Sequence, residues 1–331
     1  MKRITILASD GAVASTITGP MDVFSLAGVL YNVICGQKPS PYFQVRIASI
    51  DGKPVKCFNR LIIQPHCSIH DIEDSDLIMV SALTGDALGG HNPGSETAVW
   101  LREQYRKGSH LAGVCTGSFV LASTGLLDYK SATTHWGFVD LFSNMYPHVD
   151  LRPECLVTDE EDLSCSGGSN SCLDLSLYLI EKMCGRKIAV QCAKSMVHDI
   201  GRFTQAPYAA LHYHKKHTDQ EILQSQVWIE DNYTSDISIP MLAGRCAMSS
   251  RTFERRFKSA TGDTPLAYLQ KIRIEAAKSL MENTDVTFEE ATYKVGYKDC
   301  SSFRKIFQRS TGLKPREYQQ LFQSRKTVYA V

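Results

Sequence analysis

Six residues recur at a single offset of 50 positions in the last third of this chain: Phe253/Phe303, Phe257/Phe307, Thr261/Thr311, Gly262/Gly312, Pro265/Pro315 and Tyr268/Tyr318. A repeat of that length is one supersecondary unit used twice, so the tail must fold as two copies of one arrangement. In the first copy Ile239, Leu242, Ala243 and Cys246 share one side of a short helix. A turn over 247–250 follows, in which Ser249 or Ser250 can cap a second helix that stops at Gly262. Phe253 and Phe257, four apart, stack on its back, while Arg251, Glu254, Arg255 and Lys258 lie around its front. The second copy repeats this. Thr287 and Glu290 form a capping box, Gly296 turns the chain, and Ser301 or Ser302 opens a helix. That helix has Phe303 and Phe307 behind and Arg304, Lys305 and Gln308 in front. Two short helices around a tight turn, the second apolar behind and basic in front, predict a helix-turn-helix over about 239–261 and another over about 287–311. Between them, Pro265 to Met281 reads as one helix of roughly 25 Å at about 1.5 Å per residue. A spacer of that length can set two recognition helices about one DNA turn, ~34 Å, apart.

Charge agrees with a nucleic-acid role for the tail. From Gln224 onward there are 17 Lys+Arg and 12 Asp+Glu, a balance of +5, whereas the preceding residues hold 19 and 23, a balance of −4. The basic module is the part expected to meet a polyanion. A helical docking module would need no cationic front on either copy.

The chain of 331 residues has room for a second domain, and its 43% hydrophobic and 21% charged content is that of a globular protein. No apolar run approaches the ~18 residues of a membrane span, and the opening Ile4–Leu7 run, closed by Asp10, reads as a first strand. Eleven cysteines form an odd set without any Cys-x-x-Cys pair, which fits reduced thiols in a cytoplasmic compartment. Ahead of the tail, apolar runs at Ile4–Leu7, Phe43–Ala48, Leu77–Val80 and Leu111–Val114 alternate with helical stretches at Gly19–Val33, Glu96–Lys107 and Thr116–Ala122. That order predicts an α/β domain, a flavodoxin-like parallel sheet sandwiched by helices, followed by an all-α domain with two helix-turn-helix units. Ligands of such sheets bind at the carboxyl ends of the strands.

One strand-to-helix junction draws attention there. Gly113-Val-Cys-Thr-Gly-Ser118 places a cysteine between small residues, the shape of a nucleophile elbow. A helix N-terminus beneath Cys115 is expected to lower its thiol pKa, and His135 in Thr133-Thr-His-Trp136 offers an imidazole.

These residues resemble two known families. Leu242-Ala243, Ser249, Arg251-Thr-Phe-Glu-Arg-Arg-Phe257 and Gly262, with Ala291, Gly296-Tyr297, Ser302-Phe303, Phe307, Gly312 and Pro315-Arg-Glu-Tyr318, are similar to both motifs of the AraC/XylS transcription regulators, over about 224–323. The resemblance implies that one monomer inserts two recognition helices into successive major grooves. Arg251 and Arg255, then Ser301, Arg304 and Lys305, would face base edges, and Lys258 and Arg309 would hold phosphates. Residues 4–202 resemble the class I glutamine-amidotransferase-like superfamily in its PfpI-type branch. The resemblance is carried by Ala112–Ala122, Gly125-Leu-Leu-Asp128, Ala132–Trp136, Ser166-Gly-Gly168 and Asp174–Leu177. Enzymes of that superfamily pair the elbow cysteine with a histidine and an acid. In the peptidase branch the histidine follows the cysteine directly, where this chain has Thr116, and the stretch Ala14–Thr18 lacks the glutamate that contacts the thiol.

The expected organisation is therefore a sensor domain over 1–203, a linker over 204–223 and a DNA-binding domain over 224–325. The expected function is a sequence-specific DNA-binding transcription regulator, an activator working with RNA polymerase, a homodimer, and not an enzyme. It would be controlled by a small metabolite, an amino acid or amine, held near Cys115, Thr116 and His135. No catalytic residue, cofactor or metal is expected. The alternatives are a PfpI-type cysteine hydrolase with a DNA-targeting tail, and a redox sensor acting through Cys115. His212, His214, His217 and Asp219 invite a metal reading, but without a cysteine or glutamate framework they predict a solvated hinge.

Overall fold

A short, mainly apolar run suits a strand in the middle of a covered sheet, where helices pack on both faces. In the computed structural model, which describes residues 1–85, 94–210, 215 and 217–323, that is where the four runs lie. In chain order the strands are β1 (Lys2–Leu7), β2 (Phe43–Ser49), β3 (Val55–Lys56), β4 (Ile62–Ile63), β5 (Cys67–Ser68) and β6 (Leu77–Val80). They continue with β7 (His110–Val114), β8 (Ser131–Ala132), β9 (Asp150–Leu151), β10 (Val157–Glu160) and β11 (Leu163–Ser166). Seven of them form one sheet in the order β10-β11-β7-β6-β1-β2-β5, parallel except for β10 against β11. Chain contacts divide the protein into a unit over 1–205 and a unit over 206–331.

Helices cover both faces of the sheet. They are α1 (Ser15–Leu26), α2 (Leu30–Ile34), α3 (Glu96–Arg106), α4 (Gly117–Ser123), α5 (Val139–Met145), α6 (Ser171–Cys184) and α7 (Arg186–Met196). β6 shows the two-sided burial directly: Leu77 and Met79 join a core with Phe24, Leu175 and Ile180, while Ile78 and Val80 join one with Leu101, Phe119 and Phe142. The single helix expected over Gly19–Val33 is instead two, starting earlier and broken near Gly28. Gly28 has φ +75°, and a Cβ there would come within 2.2 Å of the Ser40 carbonyl oxygen. The strands and helices over 157–196 go beyond the elements expected from the apolar runs, and β11 among them is the small, polar run Leu-Ser-Cys-Ser.

The second unit contains α8 (Gln220–Asn232), α9 (Ile239–Arg245), α10 (Ser250–Thr261), α11 (Pro265–Asn283), α12 (Phe288–Lys294), α13 (Cys300–Thr311) and α14 (Pro315–Phe322). It has two cores that share α11. Tyr268, Leu269 and Ile272 pack with Phe253 and Phe257, and Ile274, Ala277 and Met281 pack with Phe303 and Phe307. The repeated residues each have one structural role filled twice. Thr261 and Thr311 donate to the carbonyls of Phe257 and Phe307 at 2.8 and 2.9 Å, just before glycines with φ +79° and +73°. Tyr268 and Tyr318 each donate a hydroxyl to a carboxylate, Glu230 and Glu282 respectively.

Two expectations are corrected here. α13 is opened by Asp299, whose carboxylate accepts from the backbone N–H groups of Ser301 and Ser302 at 3.0 and 3.1 Å, so neither serine is the cap. A carboxylate at that place also suits the positive end of the helix dipole. The expected solvated hinge is anchored at its start, with Gln205 and Pro207 buried. His212 and His214 lie outside the described residues, and no cluster of metal-ligating side chains occurs among the described ones.

Candidate functional site

The repeat builds two similar faces. In α10, Ser249 accepts the Thr252 N–H at 3.3 Å and starts the helix, and Phe253 and Phe257 are fully buried. Arg251, Glu254, Arg255 and Lys258 are exposed on the other side. Arg256, inside the same run of charges, acts differently. It forks onto Asp219 at 2.9 and 2.7 Å and reaches Glu221 at 2.9 Å, pinning α10 to the start of α8. In α13 Phe303 and Phe307 are fully buried while Ser301, Arg304, Lys305 and Arg309 are exposed. Among the described residues, the side chains of Arg251, Arg255, Lys258, Lys305 and Arg309 hold no hydrogen bond or salt bridge, so their donors are available to a polyanion. Arg304 differs, with its guanidinium 5.7 Å above the Phe288 ring and one nitrogen 3.8 Å from the Cys300 sulfur. Stacking on an aromatic face pre-orients a guanidinium without using up its fork of donors.

In the first unit, Cys115 sits on the turn between β7 and α4 with φ +55°, a left-handed conformation rare outside glycine. The turn is possible because its neighbours are glycines. A Cβ on Gly117 would meet the Val80 carbonyl oxygen at 2.5 Å, and one on Gly113 would meet the Ser118 nitrogen at 2.9 Å. The Cys115 N–H donates to the Ser166 carbonyl at 2.9 Å, and its own carbonyl accepts from the hydroxyls of Ser118 and Thr134 at 2.8 and 3.2 Å. The elbow is thus built as expected. Its thiol is not activated: Cys115 is 3% exposed, and burial pushes its pKa above the ordinary thiol value, only partly offset by the Ser169 hydroxyl at 3.8 Å and by Thr116. The expected lowering by the helix N-terminus is outweighed, because α4 is only seven residues long and the sulfur is shut away from water.

The structure does not assemble Cys115, Thr116 and His135 into one reactive group. The Thr116 hydroxyl is spent on the Leu83 backbone, donating to its carbonyl at 2.6 Å and accepting from its N–H at 2.9 Å. His135 caps a short turn, its Nδ1 accepting the Gly137 N–H at 3.0 Å, and its ring packs on Trp136 and Phe138. Ser169, not His135, bonds the thiol. Two further residues lie outside the set expected to form the site. Ser81, after β6, and Ser166, at the end of β11, flank the elbow in register, Val80 opposite Gly113 and Ser166 opposite Val114. Both hydroxyls are buried with no partner among the described residues. A buried hydroxyl without a partner is costly, and these two stand at the strand ends beside the elbow. Ser81 directly follows the apolar run of β6, whereas Ser166 closes the small, polar strand β11. A cavity of about 340 Å³ opens elsewhere, between β10, α6, α7 and residues 200–203, and none of Cys115, Thr116 and His135 lines it. The carboxylates in its wall are already paired, Asp174 with His198 and Arg202, Asp159 with Lys182.

Comparison with known proteins accounts for both units. Residues 2–182 match the DJ-1/PfpI family, and residues 242–321 match a helix-turn-helix domain. The chain is similar to the HTH-type transcriptional regulator CdhR of Pseudomonas aeruginosa, 28% identical over 270 residues, which are 80% of this chain and 78% of the relative. It is also similar to the HTH-type transcriptional regulator GbdR of the same organism, 27% identical over 273 residues, 82% and 73% of the two chains. Among solved structures, Drosophila melanogaster DJ-1beta shares the fold with a TM-score of 0.50 at 21% identity, covering 60% of this chain and 98% of that one. The chain belongs to the DJ-1/PfpI family, and joins that domain to a C-terminal helix-turn-helix domain of the AraC type.

Proposed function

We propose that this chain is a transcription regulator that binds double-stranded DNA through α10 and α13 and is controlled by a small effector at the strand ends around Cys115. The observation that carries the reading is the duplicated face: two helices 50 residues apart, each with two buried phenylalanines behind and exposed basic side chains in front. Arg251, Arg255, Ser301, Arg304 and Lys305 are assigned to base edges, Lys258 and Arg309 to phosphates. The names of CdhR and GbdR support regulation over hydrolysis. So does the chemistry of the elbow, since a protonated, buried thiol whose histidine is committed to a turn is a poor nucleophile. Ser81, Ser166 and Ser169 supply hydroxyls for a polar metabolite, an amino acid or amine. The AraC/XylS resemblance supports a homodimer and an activator that contacts RNA polymerase. A cytoplasmic site of action agrees with eleven unpaired cysteines, and no helix among the described residues is long and apolar enough to cross a membrane.

The test is site selection from random duplexes with the full chain, followed by binding of the selected duplex at fixed salt with and without a panel of nitrogenous metabolites. A recovered sequence and a metabolite-dependent change in affinity are expected. Recovery of no preferred sequence, with binding that simply fades with salt, would return the hydrolase reading to first place.

A further inference from the structure

We infer that Gln205 is a positioning residue that ties the state of the Cys115 site to the second helix-turn-helix unit. The inference rests on the regulator reading above and names how that regulation would travel. Gln205 is the last residue of the first unit and is 3% exposed. Its Nε2 lies 2.7 Å from the Thr134 carbonyl, 3.2 Å from the Thr133 hydroxyl and 3.3 Å from the Cys155 carbonyl. The amide lies over Gly167, where a Cβ would come within 2.5 Å of it. Its backbone is held too, the Gln205 N–H on the Glu154 carbonyl at 3.1 Å and the Thr204 hydroxyl on the same oxygen at 2.6 Å.

Two of the places this amide touches, Thr134 and Gly167, adjoin the elbow. Thr134 donates its hydroxyl to the Cys115 carbonyl at 3.2 Å, and Gly167 follows Ser166, whose carbonyl accepts the Cys115 N–H at 2.9 Å. The residues that follow Gln205 are anchored inside the second unit. Pro207 is buried, the Tyr208 ring meets Phe322 edge-on at 5.4 Å, and the buried Lys278 ammonium of α11 donates to the Ala209 carbonyl while pairing with Glu275 at 2.8 Å. Lys278 stands on the half of α11 that shares a core with α13. The two anchored segments adjoin along the chain, Gln205 being bonded directly to Ala206.

The seat of the amide is also half-satisfied. Two N–H groups serve three acceptors, and Oε1 is buried with no donor among the described residues. A buried carbonyl without a partner offsets much of what the paired donors contribute. Seated and released states then lie close in free energy, which is what an element biased by two sites requires. A group bound between Thr134 and Ser166 moves the walls that seat the amide, and release of the amide frees the segment held by Lys278.

Linkage lets the duplex itself serve as the probe, because coupling acts equally in both directions. The full chain is titrated with the duplex recovered by site selection, and hydrogen exchange is followed by mass spectrometry over residues 131–137 and 164–170. In the wild type, saturation with duplex is expected to change exchange in both segments by about fivefold or more. Gln205→Ala and, from the other side, Lys278→Met are expected to abolish that change while both variants melt cooperatively and bind the duplex. Gln205→Glu keeps the shape but turns a carboxylate onto the three acceptors, and serves where the alanine variant does not fold. A wild-type response that persists in the Gln205 variants and in Lys278→Met overturns the inference, as does the absence of any response in a wild type that binds its duplex tightly. Failure to recover a duplex overturns the regulator reading, and the inference with it, and is distinguishable because no complex forms.

Discussion

At the scale of single residues, burial decides what each charged or nucleophilic group can do. Arg255 and Arg256 are neighbours in sequence, yet one is exposed and unpaired while the other is consumed by Asp219 and Glu221. Arg255→Ala and Arg304→Ala are each expected to weaken binding to the selected duplex by about 1–3 kcal/mol and to relax preference at different base positions. Uniform weakening on every sequence, read in the same competition assay, would remove both from the base-contacting set. Arg256→Ala should instead lower the stability of the second unit and leave base preference unchanged. His110 offers a second test. Burial lowers its pKa from 6.5 to about 4, its Nε2 sits 2.9 Å from the Ser164 hydroxyl, and the nearby Lys182 adds to the lowering. An unfolded chain takes up that proton near pH 6.5 and the folded one only near pH 4. The neutral histidine's contribution is therefore fully present above pH 6.5 and is lost as the pH falls toward 4. The first unit should lose about 2 kcal/mol between pH 7.5 and pH 5 from this group, of order 1.4 kcal/mol per pH unit. Urea midpoints of wild type and His110→Gln at both pH values measure it, and equal pH dependence in the two proteins would show that His110 is not its source.

At the scale of elements, the two helix-turn-helix copies share a core but differ at their starts. Ser249 caps α10 through its hydroxyl, and Asp299 caps α13 through a carboxylate that hydrogen bonds from Ser301 and Ser302 hold below the usual carboxylate range. Replacing the cap should be felt by the helix it opens. Asp299→Ala is expected to cost about 1 kcal/mol of stability in the second unit, in line with other N-cap losses. Ser301→Ala should cost little stability and be felt in DNA binding instead. Thermal melts of the two variants would rank them, and a larger loss for Ser301→Ala would reverse the assignment of the cap. The elbow follows the same logic in the other unit. A seven-residue helix cannot set the thiol's pKa against nearly complete burial. Iodoacetamide should therefore label Cys115 in the folded chain far more slowly than the exposed Cys35, and labelling of Cys115 at the faster rate would restore the case for a reactive thiol.

At the scale of the whole molecule, the asymmetry of charge predicts how binding responds to salt. The tail carries the positive balance and the rest a negative one, so affinity for DNA should fall steeply as salt rises. Lys258→Ala should reduce the slope of log K against log salt by about 1 without altering the selected sequence. An unchanged slope would move Lys258 off the phosphates. Sequence alone specifies the duplicated tail, because Phe253/Phe303, Thr261/Thr311 and their companions are local signals whose spacing is set by helix geometry and capping. It likewise specifies the central strands and the elbow, since aliphatic runs and a cysteine among glycines carry their own conformational preferences. What those parts do to one another depends on how the chain packs. Thr116 and His135 are spent on backbone groups of Leu83 and Gly137, while Ser81, Ser166, Ser169 and Gln205 come to the elbow from distant stretches whose local sequence does not give their role. The reason is physical: capping, turns and periodicity depend on residues a few positions apart, whereas burial, a raised thiol pKa and an unpaired hydroxyl depend on which strands lie side by side.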